Sequence, residues 1–351
     1  MNDISSRRFA GGSWPIEAPP DEVILDFSTP GCRPRIGVLI NPLSGGNRNG
    51  LAATRNTIAG YPQVVQSDVQ TPQEVLNALL DFARKDVNLV AVSGGDGTVQ
   101  AVLTALFHNR PFEKFPLLTV LQSGTASMTA RDVGFPGSQV KALQKLFRWA
   151  QTGDGKPSKI RRPVLRVAAP GHPIRYGMFF GAAAIYQGIQ YFHRNVNGRG
   201  FRGEVGPGLT ILRFLWALVN KNKDFTASVP LTVKLDQDPS KQFDCLVVLI
   251  STLERLLLGM HPYWGSENGP LHYTAIKAGP RHLLRALPSF YRGCSGYHGT
   301  PENGFYSHNA YEIKLNLASG FTLDGQLYTP ENQQDPTVVR DGGTATFLGI
   351  S

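Results

Sequence analysis

The sequence predicts an α/β domain followed by a β-rich domain, and three observations carry that expectation. First, the apolar run Val90-Ala91-Val92-Ser93 stops at Gly94-Gly95-Asp96-Gly97-Thr98, and helical periodicity resumes at Val99, Val102, Leu103 and Leu106. A strand that ends in a glycine turn and feeds a helix is the repeating unit of a parallel sheet. Second, such units recur between Arg35 and Ala150. Third, beyond residue 160 strands follow one another with few helices between them, the texture of an antiparallel sheet or sandwich. A chain of 351 residues suits two domains.

Residues 1–34 are polar and rich in Gly and Pro, without the apolar segment of a signal peptide, and read as an irregular extension. Residues 35–160 form the α/β domain. Its first strand, Arg35–Ile40, runs into Asn41-Pro42-Leu43-Ser44-Gly45-Gly46-Asn47, a loop of small and turn-forming residues. Val64–Ser67 is a short second strand. Thr71-Pro72-Gln73-Glu74 is a capping box with Pro at the first helical position. Val75, Leu79, Phe82 and Ala83 share one face of the helix it starts. Leu117–Leu121 is a further strand, and Lys141–Ala150 a helix with Leu143, Leu146 and Phe147 inward.

The polar segment Gln151–Lys159 marks the domain boundary. Residues 161–330 form the β-rich domain, with strands at Val164–Ala168, Tyr176–Phe180, Leu231–Leu235, Phe243–Ile250, Tyr273–Lys277 and Tyr311–Leu317. Residues 331–351 are expected to return towards the first domain through strands within Thr337–Ile350.

The formal net charge of +9 points to an anionic partner. Nucleotide phosphates and an anionic membrane surface both fit, whereas no nucleic-acid fingerprint appears. Leu209, Ile211, Leu212, Phe214, Leu215, Trp216 and Leu218 form an apolar helix flanked by Arg199, Arg202, Arg213, Lys221 and Lys223. It is too short to span a bilayer, so any membrane contact is peripheral. The three cysteines are scattered, without metal spacing, and suit a reduced cytoplasmic setting. The histidines show no metal spacing either.

The Gly94–Thr98 turn carries the chemistry. A glycine turn before a helix presents bare backbone N–H groups and a positive dipole end to an anion. Glycines let a phosphate approach the backbone closely. Asp96 adds a carboxylate where a metal or a substrate hydroxyl meets that phosphate. Taken bare, Gly-Gly-Asp-Gly is also an ordinary turn; the flanking strand and helix favour the phosphate loop.

This turn resembles the Gly-Gly-Asp-Gly-Thr signature of the diacylglycerol kinase catalytic-domain family, which includes bacterial lipid kinases, sphingosine kinases and ceramide kinases and is more distantly related to NAD kinases. Asn41-Pro42-Leu43-Ser44-Gly45-Gly46 resembles that family's opening Asn-Pro-x-Ser/Ala-Gly-Gly motif. Gly124-Thr125 and Ala130-Arg131 match its third landmark, though Ser127-Met128 replaces the usual Asn-Asp pair. Late in the chain, Asp324-Gly325-Gln326 stands where Asp-Gly-Glu is usual. Asn268 replaces a further aspartate, and no structural divalent-ion site is carried over there.

The resemblance covers roughly residues 35–350. It implies an NAD-kinase-like nucleotide-binding domain, a β-sandwich-like second domain, and an acceptor cleft between them. It implies transfer of the ATP γ-phosphoryl group to a lipid hydroxyl with Mg²⁺, at a cytoplasmic, peripherally membrane-associated enzyme of lipid metabolism. Diacylglycerol leads as acceptor, with sphingoid bases and ceramide next. Asn41, Ser44 and Gly45 are expected to touch the nucleotide. Gly94, Gly95, Gly97 and Thr98 are expected around its phosphates, with Gly124 and Thr125 opposite. Asp96 is expected to hold the metal–phosphate assembly or to accept the hydroxyl proton, and Asp324 is the second catalytic carboxylate. The alternative is a nucleotide-binding member with weakened catalysis, which Ser127, Met128, Asn268 and Gln326 favour. The oligomeric state is not legible.

Overall fold

The computed structural model describes residues 34–45, 47–123, 127–135, 137–196, 228–332 and 334–350. The apolar and basic stretch 206–223 lies outside them, as do the expected N-terminal extension and Gly124 and Thr125.

The first half is built on strands β1 (Ile36–Ile40), β2 (Val65–Asp68), β3 (Leu89–Gly94) and β4 (Leu117–Gln122). They pair in parallel in the order β2-β1-β3-β4. Between them run α1 (Asn47–Ala59), α2 (Pro72–Arg84) and α3 (Asp96–Thr104), and after β4 come α4 (Met128–Val133) and α5 (Gln139–Thr152). Alternate residues of each strand serve opposite faces, as strand geometry requires. Leu39, Val90, Val92, Leu118 and Val120 pack with Val75, Leu79 and Phe82 of α2 and Val99 and Val102 of α3. Ile36, Val38, Leu89, Ala91 and Leu117 pack with Ile58 of α1 and Leu143, Leu146 and Phe147 of α5. Burial on both faces is why β1 and β3 read as unbroken apolar runs.

Helix α2 starts as the capping box predicts. The Thr71 hydroxyl accepts the Glu74 N–H at 3.2 Å, the Glu74 carboxylate accepts the Gln70 N–H at 2.7 Å, and Pro72 occupies the first turn. Helix α3 continues into a π-helical turn, Ala105–Asn109, closed by Arg110 in the left-handed region (φ 51°). Such turns displace side chains from the helical register.

The second half comprises β5 (Pro157–Ala168), β6 (Arg175–Gly177), β7 (Phe179–Ala183), α6 (Ala184–Val196), β8 (Val229–Leu235), β9 (Lys241–Ser251), β10 (Leu271–Lys277), α7 (Leu283–Arg292), β11 (Phe305–Ala310), β12 (Glu312–Leu317), β13 (Phe321–Leu323), β14 (Gln326–Tyr328) and β15 (Thr337–Ile350). Its strand pairs are antiparallel. They enclose a core of Leu165, Phe180, Leu231, Ile250, Tyr273, Leu315 and Phe321.

β15 joins the halves. It pairs with β5 from Pro157↔Ile350 to Ala168↔Val338. Its first residues also pair with β12, and Phe347 pairs in parallel with Leu118 of β4. The β5–β15 ribbon thus crosses the expected boundary at 160/161.

The expected strand at Tyr311–Leu317 belongs to a longer pattern. β11 precedes it as a separate strand whose Ser307, His308 and Asn309 hid it from an apolar reading. Asp324-Gly325 is a two-residue hairpin turn between β13 and β14, with Leu323 paired to Gln326. Both turn residues have positive φ, 47° and 85°. That matches a type I′ turn, for which Asp-Gly is a preferred pair.

Candidate active site

At the carboxyl ends of β1 and β3 the two glycine-bearing loops are stitched together. The Asn41 N–H bonds the Ser93 carbonyl at 2.8 Å. The Asn41 amide donates to the Thr98 hydroxyl at 2.9 Å and its oxygen accepts the Leu43 N–H at 2.9 Å. Asn47, fully buried, donates to the carbonyls of Asn41 (2.7 Å) and Ser93 (3.1 Å). It also accepts the Ser93 hydroxyl at 3.1 Å. Sequence reasoning placed Asn41 at the ligand. It gave Asn47 no role, although Asn47 fixes the loop that presents Asn41.

A side chain at Gly94 would collide with Thr98, whose Cβ and Oγ1 lie 2.6 Å from the position of an added Cβ. That steric need alone explains this glycine. Gly95 caps α3 without a side-chain bond, and a side chain there would meet nothing. Gly97 faces Gln326, whose Nε2 lies 2.6 Å from an added Cβ. The α/β loop and the distant Asp324–Gln326 hairpin therefore close on each other.

Between them opens a cavity of about 570 Å³. Asn41, Ser44, Gly95, Gly97 and Thr98 line one part. Gln70–Gln73, Val75, Leu76, Gln100, Thr104, His108 and Asn109 line another, and Ile174, Arg175, Gln326 and Tyr328 complete it. Its size lies within the range of small-molecule sites. Among the described lining residues there is no carboxylate, and Arg175 is the one side chain with a fixed formal charge.

Arg175 was not singled out by sequence reasoning, because nothing in its local pattern marks it. Tertiary structure delivers it. The Thr104 hydroxyl of α3 accepts the Tyr176 N–H at 3.0 Å and donates to the Tyr176 carbonyl at 3.2 Å. This clips β6 onto α3. The Arg175 Nε is buried without a hydrogen-bond partner among the described residues. A buried unpaired guanidinium donor is costly unless a ligand meets it.

Neither of the two expected catalytic aspartates is among the described residues that line the cavity. Asp96 spends both carboxylate oxygens on the start of α4. Oδ1 accepts the Ser127 hydroxyl at 2.8 Å and the Thr129 N–H at 3.1 Å, and Oδ2 accepts the Met128 N–H at 2.9 Å. A carboxylate at a helix N-terminus satisfies orphan donors and complements the dipole. Burial nevertheless pushes its pKa above the usual carboxylate range, against the lowering effect of those bonds.

Asp324, only 4% exposed, accepts the backbone N–H groups of Met178 (3.0 Å) and Phe179 (2.9 Å). It thereby holds the β6–β7 connection. Its pKa is raised well above normal, first by burial and then by the charge of Asp96.

Gly94 lies buried beneath the loop, and Gly45 sits on its exposed outer side, away from the lining. The described donor set does not fit a protein-held Mg²⁺ at the cavity, since the described lining residues offer no carboxylate and the Asp96 oxygens are engaged.

This is a two-part fold whose parallel α/β half carries a glycine turn at a helix N-terminus and whose β-rich half closes over it. Residues 35–154 match the model of the diacylglycerol kinase catalytic domain, which bears out the motif resemblance over the first half of the chain. A candidate diacylglycerol kinase from Bacillus anthracis str. Sterne superposes with a TM-score of 0.61 at 18% identity, covering 92% of this chain and 97% of its own. Another crystal structure of a diacylglycerol kinase from that organism gives a TM-score of 0.54 at 17% identity, with 91% and 97% covered. An NAD kinase from Archaeoglobus fulgidus in complex with ATP aligns at a TM-score of 0.44 and 10% identity, with 89% and 92% covered. No curated protein matches the chain. At these identities the likeness to the Bacillus anthracis structures establishes the fold, a parallel α/β half with a sheet-rich second half.

Proposed function

We propose that the chain is an ATP-dependent lipid kinase that moves the γ-phosphoryl group to a lipid hydroxyl, diacylglycerol first among the acceptors and a sphingoid base or ceramide next. The observation that carries this is the cavity itself. Among the described residues it combines a glycine loop at a helix N-terminus with an arginine whose buried Nε has no hydrogen-bond partner, and no carboxylate. Such a lining favours a polyanion.

In this scheme the triphosphate lies along Gly95, Gly97 and Thr98, with Asn41 and Ser44 at its side. The acceptor oxygen attacks the γ-phosphorus, the bond to the β–γ bridging oxygen breaks, and ADP leaves. Arg175 meets the charge on the transferring group. A loose transition state asks mainly for positioning and charge stabilisation. The hydroxyl proton passes to water, because Asp96 and Asp324 stand behind the cavity wall with their oxygens engaged. Their role is to fix the walls: Asp96 ties the α3 start to α4, and Asp324 ties the hairpin to the strand connection that follows Arg175.

The carboxylate-free lining also favours a second reading, a nucleotide binder with weakened catalysis. Incubation with γ-labelled ATP and a lipid panel separates the two. Label in an extracted lipid supports the kinase; ATP binding without labelled lipid supports the binder.

A further inference from the structure

The described residues with large apolar side chains in water are few, and three of them gather on one feature. Leu284 (56% exposed) and Tyr291 (60%) lie on α7, and Tyr297 (90%) follows it. Leu284, Pro288 and Tyr291 recur at the spacing of one helical face, and Arg281, Arg285 and Arg292 stand exposed beside them. Among the described residues no carboxylate forms an ion pair with any of these arginines. The opposite face of α7 is spent on the core, where Ala286 and Phe290 pack against Ala184, Leu246, Val247, Ile276 and Phe305. The outer face is therefore a short apolar stripe rimmed by cations on a helix anchored by its other side.

We infer that this outer face of α7 rests on an anionic phospholipid surface. Two features select lipid over a protein partner. Its arginines have aliphatic stems that lie along apolar surface while the guanidinium groups reach headgroups. A helix with apolar and basic residues side by side is the usual interfacial form. The core beneath the inner face of the helix reaches towards the cavity lining through α6. Ala184 and Ile185 at the start of α6 pack beside α7. One residue on, the Tyr186 hydroxyl lies 3.1 Å from the Thr329 hydroxyl, next to Tyr328 of the cavity lining. The inference deepens the lipid-kinase reading, because an acceptor drawn from a bilayer needs the cavity held at the surface.

The test is flotation with vesicles, in the absence of ATP, using the full chain. Vesicles of equimolar phosphatidylglycerol and phosphatidylcholine are compared with phosphatidylcholine alone. Wild type should float with the anionic vesicles and lose that binding as salt rises. R281Q/R285Q/R292Q should weaken binding by roughly fivefold per arginine at low salt. L284S/Y291S should weaken it on both vesicle types. Unchanged melting temperatures would show that these exposed positions leave the fold intact.

Flotation of either variant at the wild-type level, or no flotation of wild type, overturns the assignment. Equal flotation of wild type on the two vesicle types also overturns it. A wild-type dimer that the same substitutions turn into monomers, read by sedimentation velocity, assigns the face to a second copy and overturns it too. The kinase reading fails separately: flotation without phosphoryl transfer leaves the surface standing, and transfer to a water-soluble short-chain acceptor without flotation leaves the enzyme standing.

Discussion

The carboxylate of Asp96 accepts the hydroxyl of Ser127 at 2.8 Å across a sequence separation of 31 residues. One hydrogen bond thus joins the phosphate-loop candidate to the segment in which Ser127-Met128 replaces the family's Asn-Asp. The same carboxylate takes two N–H groups of α4. Asp96→Asn keeps an acceptor on one side but sets an amide donor against a backbone N–H. The expected loss is about 1–3 kcal/mol of stability, with a fall in turnover as the loop loosens. Ser127→Ala should cost about 1 kcal/mol and leave most activity. Denaturant midpoints and single-turnover rates on the purified variants check both. A wild-type midpoint in Asp96→Asn would remove Asp96 from its place as an anchor.

Arg175→Gln should lower kcat/KM by about one to two orders of magnitude, the worth of a hydrogen bond to a charged group. If the guanidinium meets the transferring group chiefly in the transition state, kcat falls with little change in KM for ATP. Arg175→Lys should recover part of the rate, since it keeps the charge and loses the planar fork. Steady-state kinetics on the three proteins decide this. Equal rates would place Arg175 outside the reaction.

The buried carboxyls also set a pH dependence. Asp324 has its pKa raised by burial and by Asp96, so the folded chain holds that proton more tightly than the unfolded chain does. Stability from this group is full below the ordinary carboxylate range, near pH 4. It is lost as pH rises from there through the folded value. Wild type should lose stability over that interval, and Asp324→Asn should lose less, although its own stability is lowered by a poorer match to the Met178 and Phe179 N–H groups. Urea titrations at a series of pH values check the slope. An identical slope in both proteins would contradict the assignment to Asp324.

Gln326 gives a fourth outcome. Its amide faces Gly97 and lines the cavity. Gln326→Glu adds a carboxylate to a lining with none, close to where the hydroxyl proton departs. Turnover should rise, and the rise should appear as pH increases through the carboxylate range. A pH–rate profile flat across that range, at the wild-type rate, would show that the proton needs no base at this position.

Much of the first half was legible because its strands are buried on both faces and end in glycine loops. β1 and β3 read as apolar runs, and Thr71–Glu74 announced α2. The hairpin at Asp324-Gly325 read as a turn, and the structure gives it the positive φ angles that Asp-Gly tolerates. Other features carry no local signal. β11 holds Ser307, His308 and Asn309 at half-buried positions, so no alternation shows. Arg175 enters the cavity through the Thr104 clip, a contact between distant segments. The hydrogen bonds of Asp96 were hidden for a related reason. A carboxylate in a glycine turn reads as a ligand until the helix it caps, more than thirty positions on, is seen beside it.

Phosphoryl transfer at this cavity is tested most directly by extracting lipid after incubation with γ-labelled ATP and a panel of diacylglycerol, sphingoid base and ceramide, for wild type and Arg175→Gln side by side. The predicted result is label in one lipid class with wild type, diacylglycerol first, and about ten- to hundredfold less with Arg175→Gln. No labelled lipid from wild type, with ATP bound at the same protein concentration by calorimetry, would contradict it and leave a nucleotide-binding protein that does not catalyse.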